Sequence, residues 1–383
     1  MSLSAWSETP TGRPFFMGAD GLPDAELDGF CSYLLAPCRR SAKTWATYAN
    51  QAAVYIRFLG SQGKSWKEAT RDDLRLYYKV RSTTEFQTGQ VLKGQSWNVA
   101  AAAIVHLYEY GQETGLVREL PFDYRRSRSL FGRGGNLTAD LVAKVTPEPI
   151  NFISIQAYKQ LWRTRLRRQR NFQRNLALSD LLVTTGLRIS EALSLRTNQI
   201  PDPDHPAYAR RVSVTIRVVG KGSKPRNVRI PKRILRAIRF YMEDEREDAL
   251  MALERKAHAQ ETSEVFLSNR GTPLSARSVE KLFQSISSAI GVALTPHGCR
   301  HTFAVYQLEA MIKRMAKNLK ELRATGADAY RQILHDPLRQ LQLLLGHAQI
   351  STTYQYLDFL EESEDLVESS LADWTDWNDE NAS

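Results

Sequence analysis

The sequence predicts a mainly α protein of two domains: an N-terminal four-helix bundle, then a C-terminal α+β domain with a small antiparallel sheet. Three observations carry that expectation. A chain of 383 residues is long enough to bury two separate cores. Apolar residues recur at helical spacing through most of it. Alternation with period two occurs at Val212, Val214, Ile216 and Val218, and Asn227–Ile230 returns as a partner strand across the turn Gly220–Lys224.

Taken in order, residues 1–22 are rich in Ser, Thr, Pro and Gly and read as a flexible arm. Residues 23–122 hold four periodic stretches, Ala25–Leu35, Thr44–Leu59, Asp72–Val80 and Ser96–Thr114, with breaks at Gly60, Gly63 and Gly115. Residues 123–148 combine turn residues with positive charge and show no periodicity, which reads as a basic interdomain linker. Its Arg125, Arg126 and Arg128 either track phosphates or are simply solvated. The second domain, 149–357, opens with a helix Ile155–Arg174 that carries six arginines. Among them Arg163, Arg167 and Arg170 are candidates for phosphate contact, the alternative being a solvated face. An apolar helix Asn175–Val183 follows and stops at Gly186. After the sheet the chain reads as helical, with Thr295-Pro296 as cap and first turn of one helix and Gly346 closing Leu338–Leu345.

Charge is distributed unevenly. The formal net charge is +10, yet residues 358–383 carry ten acidic side chains and no Lys or Arg. Setting that tail aside, 52 basic residues face 32 acidic ones, a net +20 on residues 1–356. A body that basic suits a polyanion, with attraction that weakens steeply as salt rises. In the tail, Leu360, Leu366, Val367, Leu371 and Trp374 lie among the acids in an amphipathic pattern, which suits docking on protein. No apolar run reaches membrane-spanning length, and three cysteines without a secretory layout point to a cytoplasmic protein with reduced thiols.

The chemistry-bearing residues fall in separate motifs. Thr185-Gly186-Leu187-Arg188-Ile189-Ser190-Glu191 fixes an arginine at a turn, with a carboxylate three residues on to orient it. Lys221 sits on the hairpin tip with Lys224 as its local rival, while Arg226 and Arg229 suit phosphate contact. His297-Gly298-Cys299-Arg300-His301 occupies the first turns of a helix, where the helix N-terminus favours anions. His297 and His301 at i, i+4 invite a zinc reading. The intervening Gly-Cys-Arg supplies no carboxylate base, and Arg300 would repel a divalent cation, so no metal site is expected. Leu345-Gly346-His347 leads to Tyr354 and Tyr356, which lie about 200° apart around a helix, so one phosphate can meet only one of them.

These motifs, in this order, resemble the tyrosine recombinase (phage integrase) family, strongly from Ser179 to Tyr356 and loosely before Pro149. The resemblance implies that residues 23–122 are a core-binding domain whose Thr44, Tyr48 and Trp97–Tyr110 helix face DNA. It implies Tyr356 as the nucleophile, with Arg188, Arg300 and His347 on the scissile phosphate and Glu191 steadying Arg188. Lys221 then protonates the departing 5′ oxygen, and His297 helps accept the tyrosine proton, with His301 packing or hydrogen-bonding behind the site. The implied activity is site-specific recombination of double-stranded DNA through a 3′-phosphotyrosyl intermediate and a Holliday junction, by a tetramer on DNA. The setting is integration, excision or transposition of a mobile element, or chromosome resolution, near the nucleoid, with accessory recombinases or DNA-bending proteins as further partners. One phosphodiester replaces another, so no cofactor is called for. A type IB topoisomerase-like nicking enzyme and a recombinase-derived DNA-binding regulator are the alternatives. One departure from the family is an apparent insertion, Lys313–Pro337, between Arg300 and His347.

Overall fold

The periodicity of residues 25–114 is realised as four helices in the computed structural model. The structure describes residues 5–8, 14–18, 20–35, 42–83, 91–126, 137–143, 151–220, 225–254, 262–325, 337–346, 353 and 356. Two compact units divide between Pro147 and Glu148.

The first unit packs α1 (Ala25–Leu35), α2 (Ala42–Ser61), α3 (Arg71–Thr83) and α4 (Gly94–Glu113) around one core. Local chemistry sets the helix starts. Asp24 accepts from Leu27 N at 3.0 Å, and Thr70 and Asp73 bond reciprocally across the first turn of α3. Ala100, Ala101 and Ala103 are fully buried and let α4 lie close to α2. Between them the Tyr55 and Tyr108 hydroxyls meet at 2.9 Å, and Tyr108 donates to the Trp66 carbonyl at 2.8 Å, so both buried phenols are satisfied. Gly29 is required on α1, since a Cβ there would sit 2.1 Å from the Tyr110 hydroxyl, which donates to Glu26 O. Thr44 and Tyr48 are half-buried on one face of α2, with the Tyr48 ring 5.5 Å from that of His106.

Two sequence expectations are corrected in this unit. The arm 1–22 contains a hairpin, β1 (Ala5–Glu8) against β2 (Pro14–Met17), and Phe16 lies fully inside the core. The apolar run Phe15-Phe16-Met17 supplies what a mobile arm lacks, a side chain worth burying. The linker also begins as structure: β3 (Tyr124–Arg126) pairs with β4 (Leu137–Ala139). Trp97 donates to Leu141 O at 2.7 Å, and Asn98 bonds both the N–H and the carbonyl of Ala143, which fastens the hairpin to α4. Arg125 is exposed on β3 and Arg126 follows it there, whereas Arg128 lies outside the described residues.

In the second unit the arginine-rich helix is broken. A short helix α5 (Ile155–Ala157) runs into a π-helical turn at Tyr158–Trp162, then α6 (Arg163–Leu166), and α7 (Phe172–Thr185) starts afresh. Asn171 takes a left-handed conformation at φ 57°, and the Glu245 carboxylate caps α7 through the N–H groups of Gln173 and Arg174 at 3.0 Å each. After α8 (Ile189–Leu193), β5 (Ser213–Val219) and β6 (Pro225–Pro231) form the expected antiparallel pair, with Val214, Ile216, Val218, Val228 and Ile230 facing the core. Helices α9 (Lys232–Glu243), α10 (Glu245–Glu254), α11 (Ala276–Ile290), α12 (Pro296–Thr325) and α13 (Pro337–Leu345) follow. The first part of the apparent insertion simply continues α12, a helix of 30 residues; residues 326–336 and the acidic tail lie outside the described residues.

Candidate active site

Four stretches of the second unit meet around Arg300. The first is the end of α7, where Gly186 turns left-handed at φ +62° and leaves no room for a side chain: a Cβ would lie 2.4 Å from the Phe303 ring. That turn releases Arg188 just ahead of α8. Glu191, 2 % exposed, takes the Arg188 N–H at 2.8 Å and Arg188 Nη1 at 3.1 Å. Burial alone would raise the Glu191 carboxyl. Hydrogen bonds from Arg226 and from the Arg188 backbone outweigh it and hold the group below its ordinary value, so it is a carboxylate at neutral pH.

The second stretch is β6. Arg226 Nη2 reaches Glu191 Oε2 at 2.8 Å, and Arg226 Nη1 donates to Leu344 O at 2.6 Å. The guanidinium, expected to contact phosphate, is largely buried and engaged with protein through both terminal nitrogens. Arg163 is part-exposed and pairs through Nη2 with Asp180, itself bonded by Tyr158, at 3.3 Å. Arg167 and Arg170 are exposed.

The third stretch opens α12. Thr295 caps it through Gly298 N at 2.9 Å, and Thr302 and Tyr306 bond the Ile153 and Ile155 N–H groups, which fixes the helix against the chain before α5. Arg300 is 1 % exposed; its Nη1 donates to Gly186 O at 2.7 Å and its Nη2 to Leu345 O. Burial, then the positive charges of Arg188 and Arg226, pull its pKa down to about 10, which leaves it charged at neutral pH. Arg226 and Arg300 thus hold the consecutive carbonyls Leu344 and Leu345, at the negative end of α13, directly before Gly346. Cys299, between His297's turn and Arg300, is fully buried and its thiol is pushed up by that burial.

The fourth is the tyrosine. Tyr356 is 1 % exposed and packs with Ala304, Val305, Leu308, Leu338, Leu341 and Leu345. Its hydroxyl lies 3.1 Å from His301 Nδ1. His297 is exposed one turn earlier, its ring edge-on to His301 with centroids 4.4 Å apart. Desolvation of its ring, then the charges of Arg300 and Arg188, lower the His297 pKa, and Arg300 in turn feels the Tyr356 phenol. Burial, His297 and Arg300 push His301 down to about 4. Arg188, Glu191, His297, Arg300 and Tyr356 therefore come together; Lys221, Lys224, His347 and Tyr354 lie outside the described residues. Sequence reasoning missed two contacts, the Arg226 clamp and His301 on the tyrosine. Among the described residues no three His, Cys, Asp or Glu side chains gather as a metal-holding group.

Two family models match the chain: the phage integrase family over residues 152–317, and the phage integrase N-terminal SAM-like domain over residues 27–114. The tyrosine recombinase XerC of Bacillus pumilus (strain SAFR-032) is 28 % identical over 331 residues, covering 85 % of this chain and 89 % of its own. XerC of Nitrobacter winogradskyi is 27 % identical over 333 residues, covering 85 % and 86 %. Among solved structures, XerH bound to palindromic difH in a post-cleavage complex matches with a TM-score of 0.51 at 19 % identity, over 87 % of this chain and 80 % of that one. The Tn1549 transposon integrase with circular intermediate DNA matches with 0.53 at 14 % identity, over 90 % and 98 %. At such identities the structures establish a shared fold.

Proposed function

We propose that this chain, which belongs to the phage integrase family of tyrosine recombinases, is a site-specific recombinase that cuts and rejoins double-stranded DNA through a 3′-phosphotyrosyl intermediate. The observation that carries this reading is the convergence of Arg188, Arg300 and Tyr356 on one buried corner, with Glu191 orienting Arg188. Two guanidinium groups supply fixed positive charge for a phosphate whose charge grows in the transition state. Arg300 keeps three of its five N–H donors beyond the two on backbone carbonyls.

In this mechanism Tyr356 attacks the scissile phosphorus, Arg188, Arg300 and His347 stabilise the pentavalent charge, and Lys221 gives a proton to the departing 5′ oxygen. A 5′ hydroxyl from another strand reverses the step, so bond energy is conserved in the protein–DNA ester. Thr44 and Tyr48 on α2, with Arg125, Arg126, Arg128, Arg167, Arg170 and Lys224, supply DNA contacts. The protein works as a tetramer on DNA in the cytoplasm, aided by a second recombinase or a bending protein, and its acidic tail docks on a neighbouring subunit. The test is strand exchange between two differently marked duplexes carrying a site recovered from a randomised pool by the protein's own covalent capture. Recombinant strands and a trapped four-way junction are expected; nicking and resealing without exchange would point to a topoisomerase-like enzyme, and binding without capture to a regulator.

A further inference from the structure

The resemblance to the family gives the phenolic proton to His297, yet the nitrogen that meets the Tyr356 hydroxyl, at 3.1 Å, belongs to His301. That distance is a hydrogen bond, and its direction follows from which ring nitrogen carries the hydrogen. Near pH 7 the His301 ring is neutral, because burial, the neighbouring His297 and the Arg300 guanidinium all disfavour its protonated form. A neutral ring has one bare nitrogen. With Nδ1 bare and Nε2 carrying the hydrogen, the phenol donates to Nδ1, which is the arrangement a proton acceptor needs. His297 meets the His301 ring edge-to-face. Water is a poor rival acceptor, since Tyr356 is 1 % exposed.

The placement follows from the helix. Arg300 and His301 are adjacent on α12, so one residue lies beside the phosphate site and the next faces the C-terminal apolar cluster where Tyr356 packs. A hydroxyl held by His301 is therefore held one residue from the guanidinium proposed to bind its target.

We propose that His301 is the catalytic base for Tyr356, a reading that rests on the recombinase function above. As the Tyr356 oxygen forms its bond to phosphorus, the phenolic proton passes to His301 Nδ1, and the P–O5′ bond breaks with its electron pair on the 5′ oxygen. On rejoining, the 5′ hydroxyl attacks and gives its proton back to Lys221, the P–O bond to tyrosine breaks, and His301 returns the phenolic proton to the leaving phenolate. The charged groups around the ring are His297 and Arg300 on α12, with Arg188 behind Arg300 and Tyr356 opposite. An anionic phosphate between Arg188 and Arg300 offsets part of their repulsion and makes the imidazole a better base when DNA is bound.

The experiment compares single-turnover covalent capture by the parent, His301→Asn, His301→Ala and His297→Ala on a nicked duplex selected by the parent from a randomised pool. Asn keeps an acceptor near the position of Nδ1 but cannot carry a proton. Both His301 variants should lose roughly a hundredfold or more in capture rate, with duplex binding by gel shift and melting temperature close to the parent's. Added imidazole should restore His301→Ala. Capture by His301→Asn within about threefold of the parent would overturn the proposal in favour of simple positioning, and so would imidazole rescue of His297→Ala alone. Absence of capture by the parent itself would sink the recombinase reading and this inference with it, a result distinct from either of those.

Discussion

Arg226 Nη2 and Glu191 Oε2 meet at 2.8 Å across 35 residues of sequence, and the same guanidinium continues to the last turn of α13 through Leu344 O. Arg188, Glu191, Arg226 and α13 thereby form one hydrogen-bonded line that passes behind the proposed phosphate site. Arg226→Gln leaves a buried carboxylate with one partner fewer and a carbonyl without its donor. We expect a loss of roughly 2–3 kcal/mol in stability and a fall in capture rate of about tenfold to a hundredfold from misplaced groups. Gel-shift affinity should change little. A large loss of binding with normal capture on saturating duplex would mean that Arg226 touches DNA after all.

Glu191 makes the stability of this line depend on pH. Its folded pKa lies below the ordinary 4.5, so its contribution is fully present above that value and is lost as pH falls through the lower folded one. Glu191→Gln should cost on the order of 3 kcal/mol at pH 7. The gap in melting temperature between parent and variant should then narrow on acidification below pH 4.5. A gap independent of pH would show that the carboxylate charge is not what holds the two arginines.

Tyr356 and Tyr354 are distinguished by a single hydroxyl each. Tyr356→Phe should abolish the denaturant-resistant protein–DNA adduct while leaving the apolar packing of the ring intact, and Tyr354→Phe should retain it. An adduct formed by the Tyr356→Phe protein would assign the nucleophile elsewhere.

Lys221→Ala should cleave slowly on an ordinary 5′ oxygen and recover on a 5′-bridging phosphorothiolate, whose sulfur leaves without a proton. Equal defects on the two duplexes would transfer the acid role to Lys224 or reduce Lys221 to a DNA contact.

Excess chelator should leave capture unchanged, since Arg188 and Arg300 already supply the positive charge for phosphate. Loss of capture that zinc or magnesium restores would revive the His297–His301 pair as metal ligands.

Much of this was legible in the sequence where the signal is local. The alternation in β5 and the glycine after α7 each act within a few residues, and the four bundle helices and the β5–β6 pair lie close to where they were expected. The β3–β4 hairpin escaped because three-residue strands are too short to show a period. The break near Asn171 escaped because its cause, the Glu245 cap, arrives from 72 residues away. At the site, the motifs named residue types and order, but partner choice is a property of the folded chain. Nothing near Arg226 announces Glu191 or Leu344, and His301 lies 55 residues from the hydroxyl it meets.

The hairpin of β1 and β2 alters where this protein can safely be shortened. By composition, cutting ahead of Pro23 looks harmless, the usual removal of a polar leader before the first helix. Phe16, however, fills the space over α1 and α2, so that cut would leave a ring-sized hole lined by the bundle's own apolar side chains. A trimmed protein would resemble a large-to-small core mutant, lacking about 3–5 kcal/mol, and its newly bared interior would invite self-association. For an exopeptidase or a cloning decision alike, the folded molecule begins before its first helix.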